Sequence, residues 1–266
     1  MVVLMRYVRI ALVLAVAVTC SACFQFSTVV TLKADGSGTI DQRLLFTQAA
    51  LAQLRQLASL GGGQDFDPVS EQQAREAAAT MGAGVTYVSS TAINTSGGVG
   101  RDIKYTFTDI NQLSLGQTPP PPGGVPVAPQ STNSSDRVAF KLTRQADGHA
   151  LLKITVPHLP AIGGGNASPS TNSPSADQIA MLKPMLAGAR LSIAIEPAGR
   201  RVRTSSPYVT GQRVTLVDFN VDSLLNDGTL LQRLQAARTP AEARTILKNV
   251  PGVKVNLGPE ITIEFE

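Results

Sequence analysis

Apolar and polar residues alternate along the chain from Phe24 onward. Phe24, Phe26, Val30 and Leu32 share one parity, and Gln25, Ser27, Thr31 and Lys33 the other. A period of two puts these sets on opposite faces, so the stretch predicts a half-buried strand. Ala34-Asp35-Gly36-Ser37-Gly38 is turn chemistry, after which Ile40, Leu44 and Phe46 resume the even spacing. Together they predict a hairpin over 24–46. The period then changes. Leu51, Leu54, Leu57 and Leu60 describe a helix capped by Thr47 and stopped by Gly61-Gly62-Gly63. Ser70 with Gln73 makes a capping box for a second helix that ends at Gly82. Strands are expected at 85–93 and 101–108, joined through Asn94-Thr95-Ser96-Gly97-Gly98, with Ile103, Tyr105 and Phe107 on the inner face. Asp109 caps a short helical turn running to Leu113.

Residues 116–136 are Pro, Gly, Ser, Thr, Asn and Gln with few apolar side chains, including four prolines from Pro119. Such a stretch buries too little to offset the entropy of ordering, and reads as a flexible loop. A hairpin follows, with strands at 137–144 and 150–156 around Asp147-Gly148. A second low-complexity loop spans 163–174. Ser175 and Gln178 box a helix carrying Ile179, Leu182, Met185 and Leu186, with a bend at Pro184. Leu191, Ile193 and Ile195 alternate in the next strand. Val214 and Leu216 have one parity, Phe219 and Val221 the other, which predicts a bulge near Val217-Asp218. Thr239-Pro240-Ala241-Glu242 is a helix start, and Ile261, Ile263 and Phe265 a closing strand. Strand pairs separated by helices predict an α+β fold: an antiparallel sheet built from hairpins, with packed helices and two low-complexity loops. The expected division is an N-terminal α+β part over 23–115, the loop 116–136, and a C-terminal α+β part over 137–266. The two parts are expected to share one sheet and one domain.

The first residues carry a different message. Arg6 and Arg9 precede an unbroken apolar run from Ile10 to Val18, and Ser21-Ala22 puts small residues before Cys23. The run is shorter than the roughly 20 residues that span a bilayer. Residues 1–22 therefore read as a secretory signal peptide of lipoprotein type, with Cys23 the acylated first residue of the mature chain. The site resembles the lipobox of bacterial lipoproteins, with Cys20 where Leu is usual. Such lipidation implies two or three acyl chains, enough for stable membrane attachment. Phe24 after Cys23 gives no retention signal of the Asp type. The expected location is the cell envelope: the periplasmic face of the outer membrane in a host with two membranes, otherwise the outer face of the cytoplasmic membrane.

Cleavage also simplifies the chemistry. It separates Cys20 from Cys23, and no other cysteine exists, so the mature chain has neither a disulfide nor thiol chemistry. Loss of 22 of 266 residues leaves 244; loss of Arg6 and Arg9 takes 23 basic residues to 21 against 19 acidic ones, a charge of +2. That is no nucleic-acid footprint. Arg200-Arg201-Val202-Arg203 is the one dense basic cluster and reads as a solvated strand face, with phospholipid headgroups as the functional alternative. The absence of Trp argues against a carbohydrate-stacking platform.

Two motifs imitate calcium loops. Asp35-Gly36-Ser37-Gly38-Thr39-Ile40-Asp41 would put Lys33 and Leu44 at the positions that need carboxylates, so it reads as a hairpin turn. Asp218-x-Asn220-x-Asp222 reads as a polar strand face running into a helix cap at Asp222. His149 and His158 have no partners at ligand spacing, and no nucleophile or nucleotide motif is present. No catalytic, metal or cofactor residue is assigned.

The cysteine leading directly into Phe24-x-Phe26, the D-G-x-G turn at 35–38 and Tyr105-Thr-Phe-Thr-Asp109 together resemble the uncharacterised bacterial lipoproteins that include the mycobacterial LppM type. The resemblance covers about the first 110 residues. It implies a small α/β fold that holds lipid, and supplies no catalytic residue. The reading that results is a membrane-anchored envelope lipoprotein with a non-catalytic binding domain. Its ligand is a lipid or small hydrophobe held between the sheet and the Leu-rich helix. The alternatives are a structural or protein-interaction module of the envelope, and a hydrolase with a non-motif active site.

Overall fold

The computed structural model describes residues 24–48, 50–52, 70–116, 137–156, 188–225, 228–237, 240–256, 258 and 260–266. The expected signal peptide, Cys23, most of the Leu-rich helix, both low-complexity loops, His158 and the helix begun at Ser175 lie outside these residues.

Chain order begins with strands β1 (Phe24–Leu32) and β2 (Gly38–Phe46) and helix α1 (Glu71–Thr80). Strands β3 (Val85–Thr95) and β4 (Gly98–Phe107) follow, then a 3₁₀ turn (Ile110–Gln112) and β5 (Ser114–Gly116). The later strands are β6 (Arg137–Arg144), β7 (Ala150–Thr155), β8 (Arg190–Pro197), β9 (Arg201–Thr204), β10 (Val209–Thr210) and β11 (Arg213–Asn220). Helices α2 (Val221–Leu225), α3 (Gly228–Ala236) and α4 (Pro240–Leu247) precede β12 (Lys254–Val255) and β13 (Ile261–Phe265).

Local signals account for most of these elements. β1 and β2 pair antiparallel from Phe24↔Phe46 to Leu32↔Gly38. Their turn is made by Asp35, whose Oδ1 accepts from the Ser37 amide at 2.9 Å and its hydroxyl at 2.7 Å, and by Gly36 at φ +93°. The Asp35 carboxyl is accordingly held below its ordinary range, chiefly by the Ser37 hydroxyl. Thr47 caps the helical residues that follow it, its Oγ1 accepting from the Ala50 amide at 3.2 Å. Ser70 Oγ accepts from the Gln73 amide, and Gly82 at φ +131° leaves α1. Asp109 caps the 3₁₀ turn through the Asn111 amide.

The topology departs from expectation in two ways. The described residues form two sheets, not one: one of eight strands, ordered β10-β11-β8-β1-β2-β4-β3 with β12 also on β11, and one of five, ordered β5-β6-β7-β13-β9. And the fold is not purely antiparallel, because β1 pairs β8 in parallel from Gln25↔Arg190 to Leu32↔Pro197. A parallel neighbour needs a long crossover. Here the connection is most of the chain, and it builds β5, β6 and β7 of the second sheet on its way. Local patterning cannot report a pairing between residues some 165 positions apart.

The second sheet exists because the inner face of the first needs a cover. Val30, Ile40, Tyr105, Ile193 and Ile195 from the first sheet form one buried cluster with Phe140, Leu152, Ile154, Ile263 and Phe265 from the second. α1 joins this cluster through Ala77 and Ala78, and the buried Tyr105 hydroxyl donates to the Ala74 carbonyl at 2.9 Å. The bulge expected near Val217 sits between Thr215 and Val217 of β11. It buries Val214, Leu216 and Val217 together, which strict alternation would forbid.

Candidate functional site

A cleft of mixed polar and apolar lining opens between the layers. Phe26, Thr28, Gln42 and Ile193 of the first sheet form its floor. Ala77, Thr80 and Met81 at the end of α1 form one wall, and Leu115, Gly116 and Arg137 at the edge of the second sheet the other. Its volume is about 100 Å³. Thr28 and Gln42 are direct partners in the β1–β2 register, and Gln42 Nε2 donates to Thr28 Oγ1 at 3.4 Å. Thr28 is fully buried, a polar residue on the apolar parity of β1. That interruption, repeated by Gln42 on β2, is the sequence signal for this cleft, and the strand pattern alone passes over it.

Arg137 is committed elsewhere. Its Nε donates to Ser114 Oγ at 2.8 Å, and its Nη2 donates to the carbonyls of Thr80 and Ser114. It ties the last turn of α1, where carbonyls lack helical partners, to the paired strands β5 and β6. An arginine so used has little left to offer an anionic ligand. Gly116 and Arg137 are register partners at the edge of the cleft.

A second cluster was not visible in the sequence. His149, read as an isolated turn residue, lies with Nδ1 3.1 Å from Glu264 Oε1, 3.6 Å from Asp147 Oδ2, and Nε2 3.7 Å from Glu266. Arg203 donates through Nη2 to Glu264 Oε2 at 2.7 Å, and Arg200 pairs with Glu266. The basic run at 200–203 is therefore matched, at Arg200 and Arg203, by Glu266 and Glu264. Asp147, His149 and Glu264 present ligand atoms within 4.8 Å of one another, enough to surround a cation. Yet each carboxylate oxygen of Glu264 already faces a partner, which makes this an ion-pair network first.

The calcium-like motifs resolve the same way. Asp218 is held by Arg190 through two bonds of 3.0 Å, and Asn220 Oδ1 accepts from the Asp222 amide at 2.9 Å. Asp222 reaches back to the Gly188 amide at 2.8 Å. The cap of α2 is thus Asn220 and not Asp222, because β11 runs on to Asn220 and the helix starts at Val221.

The His149 network has a pH signature. The Glu264 hydrogen bond raises the His149 pKa above its ordinary 6.5, and His149 in turn lowers that of Glu264 below 4.5. A raised imidazole pKa stabilises the fold fully below pH 6.5, and this is lost as pH climbs through the folded value. A lowered carboxyl pKa stabilises above pH 4.5, and this is lost as pH falls through the folded value. Both contributions are complete together between pH 4.5 and 6.5. An NMR titration of His149 is expected to show a midpoint above the ordinary imidazole value, and Glu264→Gln to move it down. An unmoved midpoint would show that the pair is not formed.

Among the described residues no helix is long and apolar enough to cross a membrane. No protein-family model and no curated protein matches the chain. Among solved structures, the NMR structure of the folded domain of the Mycobacterium tuberculosis LppM protein matches with a TM-score of 0.33 and 10% identity, over 92% of this chain and 91% of that one. At that score the likeness to the mycobacterial lipoprotein type is weak, and it establishes neither family nor function.

Proposed function

We propose that this chain is a lipoprotein of the cell envelope, held to a membrane by acyl chains on Cys23, whose α+β domain binds a partner and catalyses nothing. The signal-like residues 1–22 and the small residues before Cys23 support the anchor. The size and lining of the cleft are what this reading of the bound partner rests on. Sites for small hydrophobic ligands usually hold about 300–1,000 Å³. This cleft holds about 100 Å³. Gln42 donates to Thr28, Thr80 donates to the Ala77 carbonyl, and Arg137 is spent on Ser114 and backbone carbonyls. That favours docking of a protein over carriage of a lipid, and reverses the order in which the sequence alone ranks the two. The apolar lining by Phe26, Met81, Leu115 and Ile193 favours the carrier as the second reading.

Native mass spectrometry of the full chain released from detergent micelles separates them. The expected mass is the polypeptide with its covalent acyl groups. A lipid that remains bound at one copy per chain, after the detergent is stripped, would establish the carrier instead.

A further inference from the structure

A sheet edge offers unpaired N–H and C=O groups to any strand that approaches, and proteins guard edges by shortness, charge, proline or bulges. Among the described residues, β10, β5 and β9 end their sheets and are guarded. β10 has two residues, with Pro207 and Arg213 beside it; β5 has three; β9 carries Arg201 and Arg203. β3 is different. It is 11 residues long and, among the described residues, lies at the end of the eight-stranded sheet. From Met81 to Gly100 the chain has no Asp, Glu, Lys, Arg, His or Pro. Its register slips once, between Tyr87 and Ser89, which exposes Val88. That bulge and the contact of Arg75 with the Tyr87 ring protect only the first third of the strand. From Ser89 to Thr95 the pairing with β4 is regular, and most of these side chains are exposed.

We propose that residues 89–95 of β3 pair antiparallel with the same residues of a second copy of this chain, joining two eight-stranded sheets across a twofold axis. Ser89-Ser90-Thr91-Ala92-Ile93-Asn94-Thr95 suits itself. Antiparallel self-pairing sets each residue opposite a member of the same set, and no like charges meet. Full overlap places Ala92 opposite its own copy and Thr91 opposite Ile93. The nearest charges on β4 are engaged within the chain. Arg101 donates to Ser90 Oγ at 2.6 Å, Asp102 pairs with Arg43, and Lys104 pairs with Asp41. A ladder of seven residues is a small interface, so pairing is weak in dilute solution. It rests on the anchoring proposed above for strength, since confinement to one membrane plane raises the effective concentration toward the millimolar range.

The test is disulfide trapping in the full chain, produced in cells and oxidised on isolated membranes with copper phenanthroline. Ala92→Cys puts one thiol opposite its twin. Thr210→Cys, on the opposite and guarded edge, reports chance collision, and the unsubstituted chain reports any thiol left at Cys23. Ala92→Cys is expected to give about tenfold more covalent homodimer than Thr210→Cys, the gain of held over random encounters. A mixture of Thr91→Cys and Ile93→Cys chains is expected to crosslink too, which checks the register without touching Ala92. Equal yields from both edges, or no dimer from either design, would overturn the proposal. So would capture of a different protein by the Ala92→Cys chain, which would assign the edge to another strand. The membrane and soluble fractions are scored before oxidation. A soluble chain that still crosslinks at position 92 would remove the anchor and leave the pairing standing.

Discussion

Replacing Gly38 with valine is expected to destabilise the fold more than any other single change at the first hairpin, by about 3 kcal/mol or more. Gly38 lies between two strands, partnered by Leu32 on β1 and by Phe107 on β4. A Cβ at this position would stand 2.0 Å from the Thr31 carbonyl oxygen and 2.5 Å from the Phe107 ring. The first neighbour is backbone and cannot move aside without breaking the ladder. In a domain of this size the loss corresponds to a fall in Tm of about 10 °C. Gly36, two residues away, is the internal comparison. It adopts φ +93°, and the nearest atom to an added Cβ is a Leu142 side-chain carbon at 3.5 Å. Gly36→Ala therefore meets conformational strain alone, about 1 kcal/mol. Thermal melts should rank the two in that order. A Gly38→Val chain that melts with the parent would refute the β1-β2-β4 register on which the cleft floor depends.

The same glycines show what could be read from the sequence. The turn at 34–38, the caps at Thr47, Ser70 and Asp109, and the alternation in β1, β8 and β13 are local consequences of local residues. All were legible. The bulge in β11 was legible to within a residue or two, because two parities cannot share one face without it. What was not legible is everything that depends on remote pairing. The parallel β1–β8 contact, the β7–β13 pairing of the second sheet, and the meeting of His149 with Glu264 join residues separated by more than a hundred positions. No period in the chain encodes such a meeting. The cleft is intermediate. Thr28 and Gln42 stand out as polar residues on buried parities, and the hairpin register alone would have set them opposite each other. Only the packing of α1 and β5 over them turns that pair into the floor of a cleft.

Replacing Cys23 with alanine is expected to have the largest effect on where the protein resides. With the thiol gone there is no atom for the acyl donor to modify, and attachment falls to whatever the folded surface provides. Among the described residues that surface provides little. Of the large apolar side chains among the described residues, only Val88 and Val202 are well exposed. Arg200 and Arg203 of the basic run are paired with Glu266 and Glu264. Two acyl chains bind a bilayer stably where one binds reversibly, at about 0.8 kcal/mol per buried methylene. Their loss should move nearly all of the mature protein from the membrane to the soluble fraction. A Cys23→Ala chain that stays with the membrane through a high-salt wash would place the attachment elsewhere, in an uncleaved N-terminal segment or on the protein surface.

The most direct measurement is the mass of the N-terminal peptide of the full-length protein isolated from membranes. The account predicts a mature chain that begins at Cys23 and carries the added mass of at least two acyl chains on that residue. A peptide that begins at residue 24 or beyond, or one that contains unmodified Cys23, would contradict it.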